Sequence, residues 1–157
     1  MIIPFGLLID EGYACLPSKP FYKEELMTFH FQGIDHIQLA APEGCEAEAR
    51  HFFGSVLGWA EIPKPEALLK RGGVWFECGA HQVHIGVQRD FVPATKAHPA
   101  FHVHNLDRLR DHLLRSNIHV LDDEARNDEG VRRFYVNDPS GNRLEFLEWE
   151  ETGGIGR

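Results

Sequence analysis

The sequence predicts an α+β fold in which two βαβββ modules in one chain form a cupped mixed sheet around a cleft. Three observations lead there. Short alternating strands are interleaved with one amphipathic helix in each half. The order of elements recurs along the chain. The recurrence also keeps a register: His36 to His98 and Gly79 to Gly141 are both 62 residues apart.

Composition sets the outer bounds. A chain of 157 residues suits one ordinary domain. A hydrophobic share of 43% with 25% charged residues excludes a disordered chain. A net charge of −8 without a Lys/Arg cluster argues against a nucleic-acid surface. No apolar run reaches membrane-spanning length. Cys15, Cys45 and Cys78 are odd in number and form no C-x-x-C pair, which predicts reduced thiols and a cytoplasmic setting.

Residues 1–30 read as an N-terminal arm. Met1 to Ile9 is apolar without the basic start or cleavage site of a signal peptide, and residues 11–22 lack periodicity. Lys23-Glu24-Glu25-Leu26 directly precedes Met27, and Lys-Glu-Glu can be encoded by AAGGAGGA, the purine run of a bacterial ribosome-binding site. The expectation is therefore that Met27 is the natural start and residues 1–26 are translated leader. The codons AAA-GAA-GAA would sink it.

From residue 31 to 150 the expectation is one domain, with modules at 31–88 and 98–150 and a tail at 151–157. Ile34 to Ala41 reads as a strand with Ile37 and Leu39 on one face and His36, Gln38 and Ala40 on the other. Ala49, Phe52, Phe53, Val56 and Leu57 then follow at helical spacing, and Gly58 ends the helix. Trp59 to Ile62, Val74 to Cys78 and Gln82 to Val87 complete the first module as strands. Residues 88–97 form a linker containing Pro93. The second module opens with a strand at 99–104. A helix follows, with Asn105 as N-cap and Leu106, Leu109 and Leu113 on its buried stripe. Strands at 118–121, 132–136 and 143–149 flank an acidic loop at 122–130.

The last hairpin carries the most informative stretch, Asp138-Pro139-Ser140-Gly141-Asn142-Arg143-Leu144-Glu145. Its first half is turn chemistry. Its second half places Glu145 in an apolar strand, which is costly unless something pairs with it. Aligning Val83 and Ile85 with Leu144 and Phe146 sets His84 opposite Glu145, a separation of 61 residues.

Four residues thus stand at equivalent places on the polar face. His36 and His98 open the two modules, and His84 and Glu145 lie in their last strands. Singly, each has an ordinary explanation: a strand-end or edge histidine, or a carboxylate paired with Arg143 or Arg133. Jointly they suit a divalent first-row metal such as Fe, Mn, Ni, Co or Zn. His30, His51, His81, His112 and His119 fall on termini, exposed helix faces or opposite strand faces and receive no role.

From about residue 33 to 150 the chain resembles the vicinal oxygen chelate superfamily, which includes glyoxalase I, methylmalonyl-CoA epimerase, extradiol dioxygenases and bleomycin-resistance proteins. The resemblance is carried by Gly33-Ile34-Asp35-His36-Ile37, Phe52-Phe53 through Leu57-Gly58, His98-Pro99-Ala100-Phe101, and Arg133-Phe134-Tyr135-Val136 through Glu145. It implies one divalent metal ion held by His36, His98 and Glu145, with His84 at a fourth position. Lyase-type members carry a carboxylate there.

What the resemblance implies is a metal-dependent lyase or isomerase acting on a small oxygen-chelating substrate, with Glu145 or His84 moving a proton next to a carbonyl. Two alternatives stand beside it. One is an Fe(II) extradiol-type dioxygenase, since two His and one Glu compose the facial triad of non-haem iron oxygenases. The other is a metal-free protein that sequesters a flat ligand, as bleomycin-resistance proteins do. Strand alternation adds Gln38, His102, Arg133, Tyr135, Trp75 and Glu77 to the cleft face. Arg133 is a candidate for holding a carboxylate or phosphate, and a salt bridge to Glu145 or Glu77 is its ordinary reading. For Trp75 the ordinary reading is packing. The partners expected are a small-molecule substrate, with neither nucleic acid nor membrane. The linker allows the cleft to close within one chain or by exchange across a homodimer.

Overall fold

A computed structural model describes residues 29–150. Contacts divide the chain between Gly33 and Ile34. The expected leader at 1–26 and tail at 151–157 lie outside the described residues.

Two four-stranded mixed sheets make up the second unit. In the first, β1 (His36–Ala41) runs parallel to β4 (His81–Val87), followed outward by β3 (Val74–Cys78) and β2 (Glu61–Ile62). In the second, β5 (Ala100–His102) runs parallel to β8 (Arg143–Trp149), followed by β7 (Val131–Asn137) and β6 (Leu121–Asp123). Register repeats between them: Gln38 pairs with His84 as Ala100 pairs with Glu145. The α+β class and the double βαβββ plan are therefore those expected from the sequence. β1 and β5 each form one edge of their own sheet.

The first helix departs from regular geometry. It begins as α1 (Glu46–Ala49) and widens into a π-helix over Arg50–Val56, where Leu57 N donates to Phe52 O at 2.9 Å. Ala49, Phe52, Phe53 and Val56 still face the core, so burial tolerates the wider turn. Gly73 then passes so close to β4 that a Cβ there would stand 2.0 Å from the Ile85 carbonyl oxygen.

The second helix, α2 (Leu106–Arg115), is capped differently from expectation. Asn105 sits in the left-handed region at φ 61° and makes no side-chain cap. The Glu148 carboxylate on β8 instead accepts from Asn105 N at 2.7 Å and Leu106 N at 3.3 Å. Arg132 bridges Glu148 to Asp107. β6 also lies later than the expected 118–121, because Asp122 and Asp123 are held by Arg110 and Arg133 and belong to the strand.

Both sheets turn their apolar faces to one shared core. Phe53, Phe76, Val83 and Ile85 come from the first module and Phe101, Leu113, Phe134 and Phe146 from the second. Trp59 and Phe101 meet edge-to-face at 5.2 Å. His112, given no role from sequence, reaches the Val56 carbonyl at 2.8 Å. The polar face of each sheet therefore looks away from the common core.

The Asp138–Asn142 turn ties the modules together. Asp138 accepts from Asn142 N and Asn142 Nδ2, both at 2.8 Å. The same amide donates to the Ala40 carbonyl on β1 at 2.8 Å. Gly141, at φ 90°, supplies the left-handed position the turn requires. Burial pushes the Asp138 carboxyl up, against the Asn142 bonds that pull it down.

Candidate metal centre

In the second module, His98 just before β5 meets Glu145 on β8. Its Nε2 lies 2.9 Å from Glu145 Oε2, and its Nδ1 lies 2.7 Å from the Lys96 carbonyl oxygen. Carbonyl and carboxylate oxygens are both acceptors. A neutral imidazole has one N–H and can donate to only one of them, so the other contact is one a cation would satisfy. Two ligands each about 2.1 Å from one ion and at right angles stand about 3 Å apart, so the spacing suits a shared metal.

Glu145 is only 4% exposed. Its other oxygen, Oε1, accepts from Arg133 at 3.3 Å, and Arg133 also reaches Asp123 at 3.2 Å. The salt bridge weighed for Arg133 thus exists, to Glu145 rather than Glu77. Arg133 Nε remains buried without a hydrogen-bond partner. Tyr135, directly across from Glu145, lies under the Arg143 guanidinium at 3.6 Å and has the His98 ring edge-on at 5.3 Å. Burial, then the neighbouring Glu145 charge, raises the Tyr135 hydroxyl above its ordinary value and keeps it protonated.

The first module brings together His36 on β1 and His84 on β4. His36 Nδ1 is 2.7 Å from the Asp35 carboxylate, which leaves Nε2 as its outward nitrogen. Anchoring one ring nitrogen on a carboxylate or carbonyl is the usual support of a metal-binding histidine. Both His36 and His98 have it. His84 is buried, its Nε2 is 2.9 Å from Gln82 Oε1, and its ring stacks on Trp75 at 3.7 Å and on His36 at 4.3 Å. Burial, then His36, pushes His84 below the ordinary histidine range, so it is neutral at pH 7.

The four candidate ligands thus occur as two pairs, one per module. Among the described residues no group of three or more His, Cys, Asp or Glu side chains is close enough to hold an ion. The outward-facing sheets explain why one chain leaves the pairs apart.

Of the remaining candidates, Trp75 is part of the ring stack, and Gln38 lies over Gly86, its Nε2 2.9 Å from where a Cβ would stand. His102 shares the face of Leu147 but is exposed, with its ring tilted against His104. Asp35, Gln82 and Arg143 escaped notice as participants. Alternation placed Arg143 on the Glu145 face, yet only the fold brings it over Tyr135. Beside them a cleft of about 340 Å³ is lined by Asn117, His119, Leu121, Tyr135, Asn137 and Arg143, among others.

Fold and side chains define a double βαβββ protein whose polar sheet faces carry imidazole and carboxylate. The sequence pattern of the Glyoxalase/Bleomycin resistance protein/Dioxygenase superfamily matches residues 33–146. The chain belongs to that superfamily. A solved protein from Bacillus anthracis assigned to the glyoxalase family is 55% identical, over 79% of this chain and 100% of its own, with a TM-score of 0.76. A lactoylglutathione lyase from Agrobacterium tumefaciens (20% identity, 74% of this chain, 93% of its own, TM-score 0.58) shares the fold. So does a glyoxalase/dioxygenase from Nostoc punctiforme (20%, 76% and 92%, TM-score 0.60). Among the described residues no helix is long and apolar enough to cross a membrane.

Proposed function

We propose that the protein is a divalent-metal-dependent lyase or isomerase whose centre is shared between two copies of the chain. His36 and His84 of one copy would face His98 and Glu145 of the other. The observation that carries this reading is His98, anchored at Nδ1 on the Lys96 carbonyl with Nε2 2.9 Å from Glu145. The edge strands β1 and β5 favour completion by a second copy, since each half-site lies beside a strand edge that its own sheet leaves unpaired.

When bound, the metal supplies Lewis-acid stabilisation of negative charge on a substrate oxygen. The chain's own residues would do the rest. Glu145, buried and flanked by Arg133, is the base for a proton next to a carbonyl. His84, the other candidate base, is closed on both ring faces and is the weaker choice. The protonated Tyr135 hydroxyl is a donor, and Arg133 holds the Glu145 carboxylate in place with its Nε buried and unpaired.

The test is metal content by inductively coupled plasma analysis together with isomerisation of a methylglyoxal–thiol adduct without O₂. Stoichiometric metal lost in a His36→Ala, Glu145→Ala double variant, with thiol-adduct turnover, supports the reading. A metal-free protein that binds a flat aromatic ligand contradicts it. A dioxygenase is the second reading. It is favoured by the enclosure of His84, which leaves His36, His98 and Glu145, the composition of a facial triad. Oxygen consumption with catechols under Fe(II) would select it.

A further inference from the structure

We propose that His84 is a positioning residue and not a metal ligand: clamped between Trp75 and His36, its ring fixes the plane in which His36 offers Nε2. The proposal rests on the metal reading above.

An imidazole nitrogen directs its lone pair in the plane of its ring, so two histidines on one ion need planes that meet at that ion. The His36 and His84 rings are 4.3 Å apart between centroids and tilted by only 21°. Planes so arranged meet on the order of 10 Å away, whereas a metal sits about 2 Å from each ligand nitrogen. In this arrangement one ion cannot lie in both planes, so only one of the two rings is set to ligate it.

Their surroundings decide which. His36 has Nδ1 held by Asp35 and a side chain 42% exposed, which leaves Nε2 as the nitrogen it can offer. His84 is 5% exposed, its Nε2 faces the Gln82 amide, and the Trp75 ring covers it at 3.7 Å with planes 5° apart. Trp75 is the direct cross-strand partner of His84.

The second module is built differently at the equivalent places. Tyr135 pairs with Glu145 as Trp75 pairs with His84. There, however, the residue on the last strand reaches sideways to the histidine, with Glu145 Oε2 2.9 Å from His98 Nε2, and the Tyr135 ring stands edge-on to His98 at 89°. Equivalent positions hold a carboxylate that reaches the histidine nitrogen in one module and a face-on stack in the other. The carboxylate module ligates through both residues; the stacked module ligates through His36 alone.

The experiment uses full-length protein and compares Zn²⁺ affinity with Cu²⁺ paramagnetic resonance in the wild type, His84→Ala, His84→Phe and His36→Ala. Phe keeps a flat ring for the stack but offers no nitrogen. Loss of support for a ligand typically weakens metal binding about 10- to 100-fold, which is the effect expected of His84→Ala, whereas His84→Phe should stay within about threefold of the wild type. The nitrogen couplings on Cu²⁺ should be unchanged in His84→Phe and reduced in His36→Ala. Equal weakening of both His84 variants with a lost nitrogen coupling would make His84 a ligand and overturn the proposal. Wild-type affinity in His84→Ala would overturn it as well. A wild type that binds neither ion contradicts the metal reading itself and removes the proposal with it.

Discussion

His98 and Glu145 meet at 2.9 Å across 47 residues of chain, on a sheet face turned away from the hydrophobic core. Their contact stands without any residue of the first module. Glu145→Gln keeps the shape and one acceptor oxygen but removes the charge. Metal affinity should fall at least about 100-fold, beyond the loss usual for a supporting residue. Calorimetric titration with Zn²⁺ checks it.

The Asp138–Asn142 turn predicts a stability effect separate from metal binding. Asn142 Nδ2 serves both Asp138 and the Ala40 carbonyl, so Asn142→Ala strips partners from one buried and one half-buried acceptor. The expected loss is about 1–3 kcal/mol by urea unfolding. A loss under about 0.5 kcal/mol would mean that water replaces the amide.

Gly73 makes a second packing prediction. At φ 79° with a virtual Cβ 2.0 Å from the Ile85 carbonyl oxygen, Gly73→Ala must move backbone. Destabilisation of at least about 3 kcal/mol, or loss of folded protein, is expected from combined overpacking and left-handed strain. Thermal unfolding gives the answer.

Glu148 makes α2 sensitive to acid. The Asn105 N–H, then other neighbours including Arg132, holds this carboxylate below its ordinary value. A depressed carboxylate stabilises the fold above its unfolded pKa, and that contribution disappears as pH falls through the folded value. Glu148→Gln should therefore be less stable than wild type by about 1 kcal/mol at pH 7, the size of a lost helix cap. The gap should close as pH drops below about 4.5. A gap independent of pH would show that charge is not what caps the helix.

Strand register was legible because Val83, Ile85, Leu144 and Phe146 must all face the core, and a one-residue slip would turn each outward. The cap of α2 was not legible, since its acceptor, Glu148, is 43 residues from Asn105 in the chain. The late position of β6 escaped for a similar reason: Asp122 and Asp123 look like loop until Arg110 and Arg133 reach them from elsewhere. The four candidate ligands were visible as repeat-equivalent positions. Their separation into pairs was not, because alternation tells which face a side chain occupies and not whether two such faces turn toward each other.

The central claim, a metal centre shared between chains, is tested most directly by mixing His36→Ala and Glu145→Ala proteins. Each alone spoils every site. In a mixed dimer one site recovers an intact His36 from one chain and an intact Glu145 from the other, while the second site carries both lesions. With random pairing about half the dimers are mixed, so bound Zn²⁺ should return to about a quarter of the wild-type content. No recovery, in mixtures shown by mass spectrometry to contain the mixed dimer, would contradict a shared centre.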